Sequence, residues 1–131
     1  MGAKLYIVEF KHKHTGMRFQ QFGVTKEYDV NERFKFKPKQ YENFNIEVLA
    51  SAYHSNRDVC DKEEKKLLSK PQHQKNFWIE EEFSGITETV QMNKKVRFKA
   101  IQKIMQLKKN WYEERVKSSK KLLQERYKEL V

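Results

Sequence analysis

The stretch RFQQFGVTKEYDVNERF, Arg18 to Phe34, passes from an apolar run through a polar break into a helix start. Its first eight residues, RFQQFGVT, are rich in strand-forming types and follow a second such run, KLYIVEF (4–10). Between the two lies KHKHTGM (11–17), with Thr15-Gly16 as turn punctuation. The two runs therefore predict a β-hairpin. Asp29 is placed to cap a helix over VNERFKF (30–36), and Glu32, three residues on, completes a capping-box pattern. Pro38 stops that helix, because its ring clashes with the preceding turn and it has no N–H to donate.

Working outward, FNIEVLASAY (44–53) alternates as a third strand. Asn56 or Asp58 can cap a helix through CDKEEKKLLS (60–69), which Pro71 ends. QKNFWIEEEF (74–83) reads as a short helix, and TETVQM (87–92) as a closing strand after the Ser84-Gly85 turn. From Asn93 onward there is neither Gly nor Pro. Ile101, Ile104, Met105, Trp111, Tyr112, Val116, Leu123, Tyr127 and Leu130 recur there at helical spacing, predicting one long helix or two shorter ones. The fold class is α+β: a small sheet of about three to four strands flanked by helices, followed by a basic C-terminal helical extension. Residues 1–92 form the domain and residues 93–131 the extension.

The 131 residues bound one domain with an appendage, and a single cysteine leaves no disulfide framework, so Cys60 is read as a small apolar or surface residue. Nine Phe, six Tyr and two Trp suffice for a compact core. No apolar run is long enough for a signal peptide or membrane span, giving the expectation of a soluble, cytoplasmic protein. The formal net charge of +10 is concentrated: residues 93–131 carry thirteen Lys/Arg against four acids, whereas residues 1–92 carry fifteen against fourteen. A localised positive field attracts phosphate polymers by counterion release; a solvated helix face that keeps the chain soluble is the alternative.

The hairpin LYIV…QFGVT leading into a helix with DVNERF resembles the GIY-YIG nuclease domain over residues 4 to 92. The order of hairpin, arginine-bearing helix, third strand and glutamate-bearing helix is similar. ENFNIEVLASAY, EEKKLL and NFWIEEEFSGITETV look like the variant found in phage proteins, which would place the chain in a host cytoplasm. By this resemblance Tyr6 matches the first-motif tyrosine, which aligns or deprotonates the attacking water, and Gly23 matches the second-motif glycine. Arg33 matches the helix arginine that neutralises charge on the scissile phosphate, as paired guanidinium donors can. Glu64 matches the glutamate that holds one divalent ion, Mg²⁺ or Mn²⁺; Glu63, one residue earlier, is the other candidate.

The match departs from the family at Gln21, which stands where the second tyrosine is expected and can orient water but cannot become a phenolate. The late asparagine has no clean counterpart, with Thr87 or Glu88 near its place, and Tyr41 stands where relatives have a histidine or tyrosine. Each of these residues also has an ordinary reading as a strand aromatic or solvated helix side chain. His12, His14, His54 and His73 lack zinc spacing. In FKFKPK (34–39), Phe34 and Phe36 alternate with Lys35, Lys37 and Lys39, as a backbone-binding strip or as helix-end packing.

On the extension, Lys94, Lys95, Arg97, Lys99, Lys103, Lys108 and Lys109 are the candidates for facing a nucleic-acid backbone, while the apolar stripe docks the helix. Trp111 and Tyr112 either stack on bases or dock on the domain. A coiled-coil homodimer and a membrane-surface helix are further options, the latter disfavoured beside a nuclease-like domain. The leading expectation is a metal-dependent endonuclease acting on DNA, with RNA as a further target. The alternative is a catalytically weak or inactive module on the same scaffold that binds nucleic acid or blocks a partner.

Overall fold

The computed structural model describes residues 2–35, 41–70, 74–75 and 89–130. Strands β1 (Ala3–His12) and β2 (Arg18–Thr25) form the predicted hairpin. A four-residue helix α1 (Glu32–Lys35) follows, then β3 (Phe44–His54), α2 (Arg57–Leu68), β4 (Gln74–Lys75), β5 (Thr89–Gln91) and α3 (Lys94–Leu130). The sheet is antiparallel in the order β3-β1-β2-β5-β4, so the strand most continuously apolar, β1, lies inside it with a partner on each side. The architecture is thus the α+β arrangement with a C-terminal helical extension.

Alternation along β1 builds two cores. Ala3, Leu5 and Ile7 face one side, where Phe22, Ala50 and Ala52 join them under α2 and α3. Tyr6, Val8 and Phe10 face the other, where Phe19, Val30, Phe34, Tyr41 and Phe44 form an aromatic cluster beneath α1. Phe10 is its hub, stacked on Phe19 at 4.8 Å and edge-on to Phe34 and Phe44 at 5.7 and 5.8 Å. Burial on both faces accounts for the near-continuous apolar reading of LYIVEF. A register shift at Ile7/Val8 in the β1–β3 ladder leaves Leu49 as the extra residue of a bulge.

The helix expected over residues 30–36 starts at Glu32, two residues later than its capping pattern implies. Asp29 accepts from the Asn31 amide at 3.0 Å, but Glu32 turns forward to Lys35 at 2.8 Å instead of back to the cap. Neither reciprocal bond of the box is made: the Glu32 amide donates to the Asp29 backbone carbonyl at 3.0 Å. Asn56, rather than Asp58, caps α2, its Oδ1 accepting from the Asp58 amide at 3.0 Å. The expected helix over residues 74–83 begins as strand β4, and the rest of that stretch, like Pro38 and Pro71, lies outside the described residues.

The C-terminal segment is one helix. Asn93 caps it, its side chain accepting from the Val96 amide at 2.9 Å. Ala100, Ile104, Leu107 and Trp111, spaced by four, three and four, are buried against the sheet. Of the stripe read from sequence, Ile104 and Trp111 are buried and Ile101 packs half-buried against the same core, whereas Met105, Tyr112, Leu123, Tyr127 and Leu130 are exposed. The first half of α3 therefore completes the core above residues 1–92, and the second half carries no buried residue.

Candidate nucleic-acid interface

Tyr6 is buried, with its ring edge-on to Phe34 at 6.0 Å. It lies across Gly23, its register partner on β2: a Cβ at Gly23 would overlap the Cζ and Oη of the phenol. The glycine is thus required by close approach of a side chain. Gly23→Ala is expected to cost about 1–3 kcal/mol through overpacking. Combined with Tyr6→Val, it should cost less than the two single losses added together, because the obstructing ring is gone. Denaturant titration of the four proteins measures this, and additive losses would show that the ring does not press on Gly23.

Gln21 is paired with Val8 and lies on the same sheet face as Tyr6, fully buried. Arg33, half-buried on α1, stands over that face beside Phe34. Glu64 is carried elsewhere. It is half-buried on α2, four residues after Cys60 and three before Leu67, and both of those side chains pack on the opposite face with Leu5 and Phe22. The sheet therefore lies between the helix bearing Glu64 and the elements bearing Tyr6, Gln21 and Arg33. The other glutamate candidate, Glu63, pairs with Lys66 at 3.4 Å.

Among the described residues, no three His, Cys, Asp or Glu side chains gather as a metal-ligating group. Glu64 offers a single carboxylate, which suits Mg²⁺ only with substrate phosphate and water completing the shell. His12 holds the hairpin turn, its Nδ1 accepting from the amides of His14 and Thr15 at 3.3 and 3.2 Å. Cys60 is fully buried, its thiol donating weakly to the Ala3 carbonyl at 3.6 Å, and burial pushes its pKa up. That keeps it a thiol. Thr87, Glu88, His73 and residues 36–39 of the FKFKPK strip lie outside the described residues.

The cations on α3 divide into two sets. Lys94, Lys95, Lys99, Lys103, Lys108 and Lys109 are exposed. Arg97 is not part of that outer row: it turns inward and donates from Nη1 to Glu9 Oε1 at 2.9 Å, with its side chain 24% exposed. Glu9 also accepts from Gln20 Nε2 at 3.0 Å and lies 3.5 Å from Arg18, and Gln20 Oε1 accepts from the Met92 amide at 3.1 Å. This buried network ties the β5–α3 junction to the sheet. A carboxylate desolvated on an apolar face is tolerated only with such partners. Its sequence signal was Glu9 itself, an acid at an inward position of the LYIVEF alternation. What could not be read was the partner, Arg97, distant in the chain.

Against protein-family models, curated proteins and solved structures, the chain has no match. Six exposed lysines project from a helix whose inward stripe is anchored in the core; Lys95, Lys99, Lys103 and Lys109 share one outer sector, and Lys94 and Lys108 lie on the other flank. Distal to Trp111, Arg115, Lys117, Lys120, Lys121, Arg126 and Lys128 extend this charge, interrupted by Glu113, Glu114, Glu125 and Glu129. Among the described residues, no helix is long and apolar enough to cross a membrane.

Proposed function

We propose that the protein binds nucleic acid through the outward surface of α3, on a scaffold that resembles the GIY-YIG nuclease domain. The supporting observation is the exposure of Lys94, Lys95, Lys99, Lys103, Lys108 and Lys109 on a helix fixed by Ala100, Ile104, Leu107 and Trp111. Lysine ammonium groups on a preorganised rod match a phosphate row without reading base sequence, and displacement of condensed cations from the polymer supplies the free energy. DNA is the first partner to test, with RNA beside it. Anisotropy titration of a labelled duplex, with and without charge reversal on α3, is the experiment; binding that survives reversal removes the proposal.

A second reading, metal-dependent DNA endonuclease, draws on the Tyr6 phenol lying over Gly23, the contact that the two matched motifs bring together. Arg33 stands on the helix above the same face. Against it stand the burial of Tyr6 and Gln21 and the location of Glu64 across the sheet. Incubation of supercoiled plasmid with the protein and Mg²⁺ or Mn²⁺ separates the readings. The binding module predicts a mobility shift without nicking. Nicking that is lost in Tyr6→Phe, Arg33→Ala and Glu64→Ala would establish the hydrolase.

A further inference from the structure

Two hollows adjoin where α3 passes the end of edge strand β3, one of about 410 Å³ and one of about 580 Å³. Lys4, Tyr53 and Arg115 line both, so they form one groove. At the α3 end, Lys108, Lys109 and Tyr112 complete the wall; at the other, Lys26, Glu27 and Tyr28 do. Five cations thus face the groove against one acid.

Tyrosines punctuate this row of charge. Tyr28, Tyr53 and Tyr112 come from the β2–α1 connection, β3 and α3, and remain 91%, 40% and 58% exposed. A single exposed tyrosine is ordinary. Here each ring has a cation beside it: Lys4 Nζ lies 4.9 Å from the Tyr28 centroid, and the Arg115 guanidinium lies 5.4 Å from Tyr53 and 5.5 Å from Tyr112. A cation over one face of a ring orients it, so that a base stacks on the opposite face. Alternating flat aromatic surface and positive charge is the chemistry that takes a chain of bases on a phosphate backbone. A duplex hides its base faces, so it can use the charge but not the rings.

We propose that this groove binds single-stranded nucleic acid, with bases stacked on Tyr28, Tyr53 and Tyr112 and the backbone held by Lys4, Lys26, Lys108, Lys109 and Arg115. The inference rests on the nucleic-acid reading above and adds the strand state and the stacking residues. Nothing in the row discriminates among bases, because every base has a π face.

The test is anisotropy titration of the full chain with labelled dT12, with an abasic strand of equal phosphate count, with rU12 and with a 12-base-pair duplex. The parent should bind dT12 and rU12 at least several-fold tighter than the abasic strand. Tyr28→Ala and Tyr112→Ala, both at exposed positions, should each weaken dT12 binding by about 5- to 100-fold and leave abasic binding unchanged. Tyr112→Phe, which keeps the ring, should restore it. If dT12 and the abasic strand bind alike, or the alanine variants bind dT12 as the parent does, the groove proposal is wrong. Should charge-reversed α3 lose every ligand in that case, the basic-surface reading survives alone. Failure of the parent to bind any strand or the duplex overturns both.

Discussion

Ending the chain after Met92 is expected to yield no cooperatively folded protein, although the segment removed looks by composition like a detachable basic tail. Ala100, Ile104, Leu107 and Trp111 pack with Leu5, Ile7, Phe22, Ala50 and Ala52 over the sheet. Removing a buried large apolar side chain costs about 2–5 kcal/mol, and a domain has only about 5–15 kcal/mol to lose. Three such side chains and the Arg97 partner of buried Glu9 would go together. Ending the chain after Ser118 should behave differently, because residues 119–130 contain no buried side chain. Thermal unfolding followed by near-ultraviolet circular dichroism compares the two. A sharp transition in the 1–92 fragment would show that α3 is not part of the core.

The second large effect concerns salt. If the six exposed lysines each displace one counterion, the slope of log affinity against log salt is about −5 for duplex DNA. Raising salt from 50 to 200 mM should then weaken binding about a thousandfold. Lys95→Glu, Lys99→Glu, Lys103→Glu and Lys109→Glu together should reduce the slope by about four. All four sites are exposed, on a helix anchored from its other side, so the variant should unfold with the parent. Arg97→Glu is unsuitable for this purpose. It would set a carboxylate against buried Glu9 and report on folding instead of on binding.

The hairpin, β3, α2 and α3 were legible in the sequence because each has a local cause: alternation, a capping asparagine, or a long stretch without Gly or Pro. The start of α1 was not. Its capping box is not made, because Asp29 takes the Asn31 amide and Glu32 meets Lys35 one turn ahead, a choice local pattern does not decide. The candidate catalytic set was legible only as residue types in order. Whether Glu64 joins Tyr6 and Arg33 depends on which sheet face α2 crosses, and the spacing of Cys60, Glu64 and Leu67 gives its inward stripe without naming that face. The exposed apolar residues of α3 show the same limit. Helical spacing made Met105, Leu123 and Tyr127 look like Ile104 and Trp111, but Met105 is turned about 100° round the helix from Ile104, and Leu123 and Tyr127 lie beyond Trp111, past which α3 buries nothing.

The groove was the least legible feature. Lys4, Tyr28, Tyr53 and Arg115 share no motif, and each alone is an unremarked surface residue. They meet because β3 pairs with β1, setting Tyr53 opposite Lys4, while α3 runs past the same strand and brings Arg115 within 5.4 Å of Tyr53. Arg97 illustrates the converse. Composition placed it among the outward cations, and long-range pairing with Glu9 withdrew it.

The most direct measurement is the affinity of the full chain for a labelled DNA duplex across a salt series from 50 to 200 mM, for the parent and the four-lysine reversal. A steep parent slope that becomes shallow in the reversed protein, with both proteins unfolding at the same temperature, is the predicted result. Equal slopes for the two proteins would contradict the assignment of α3 as the phosphate-binding surface.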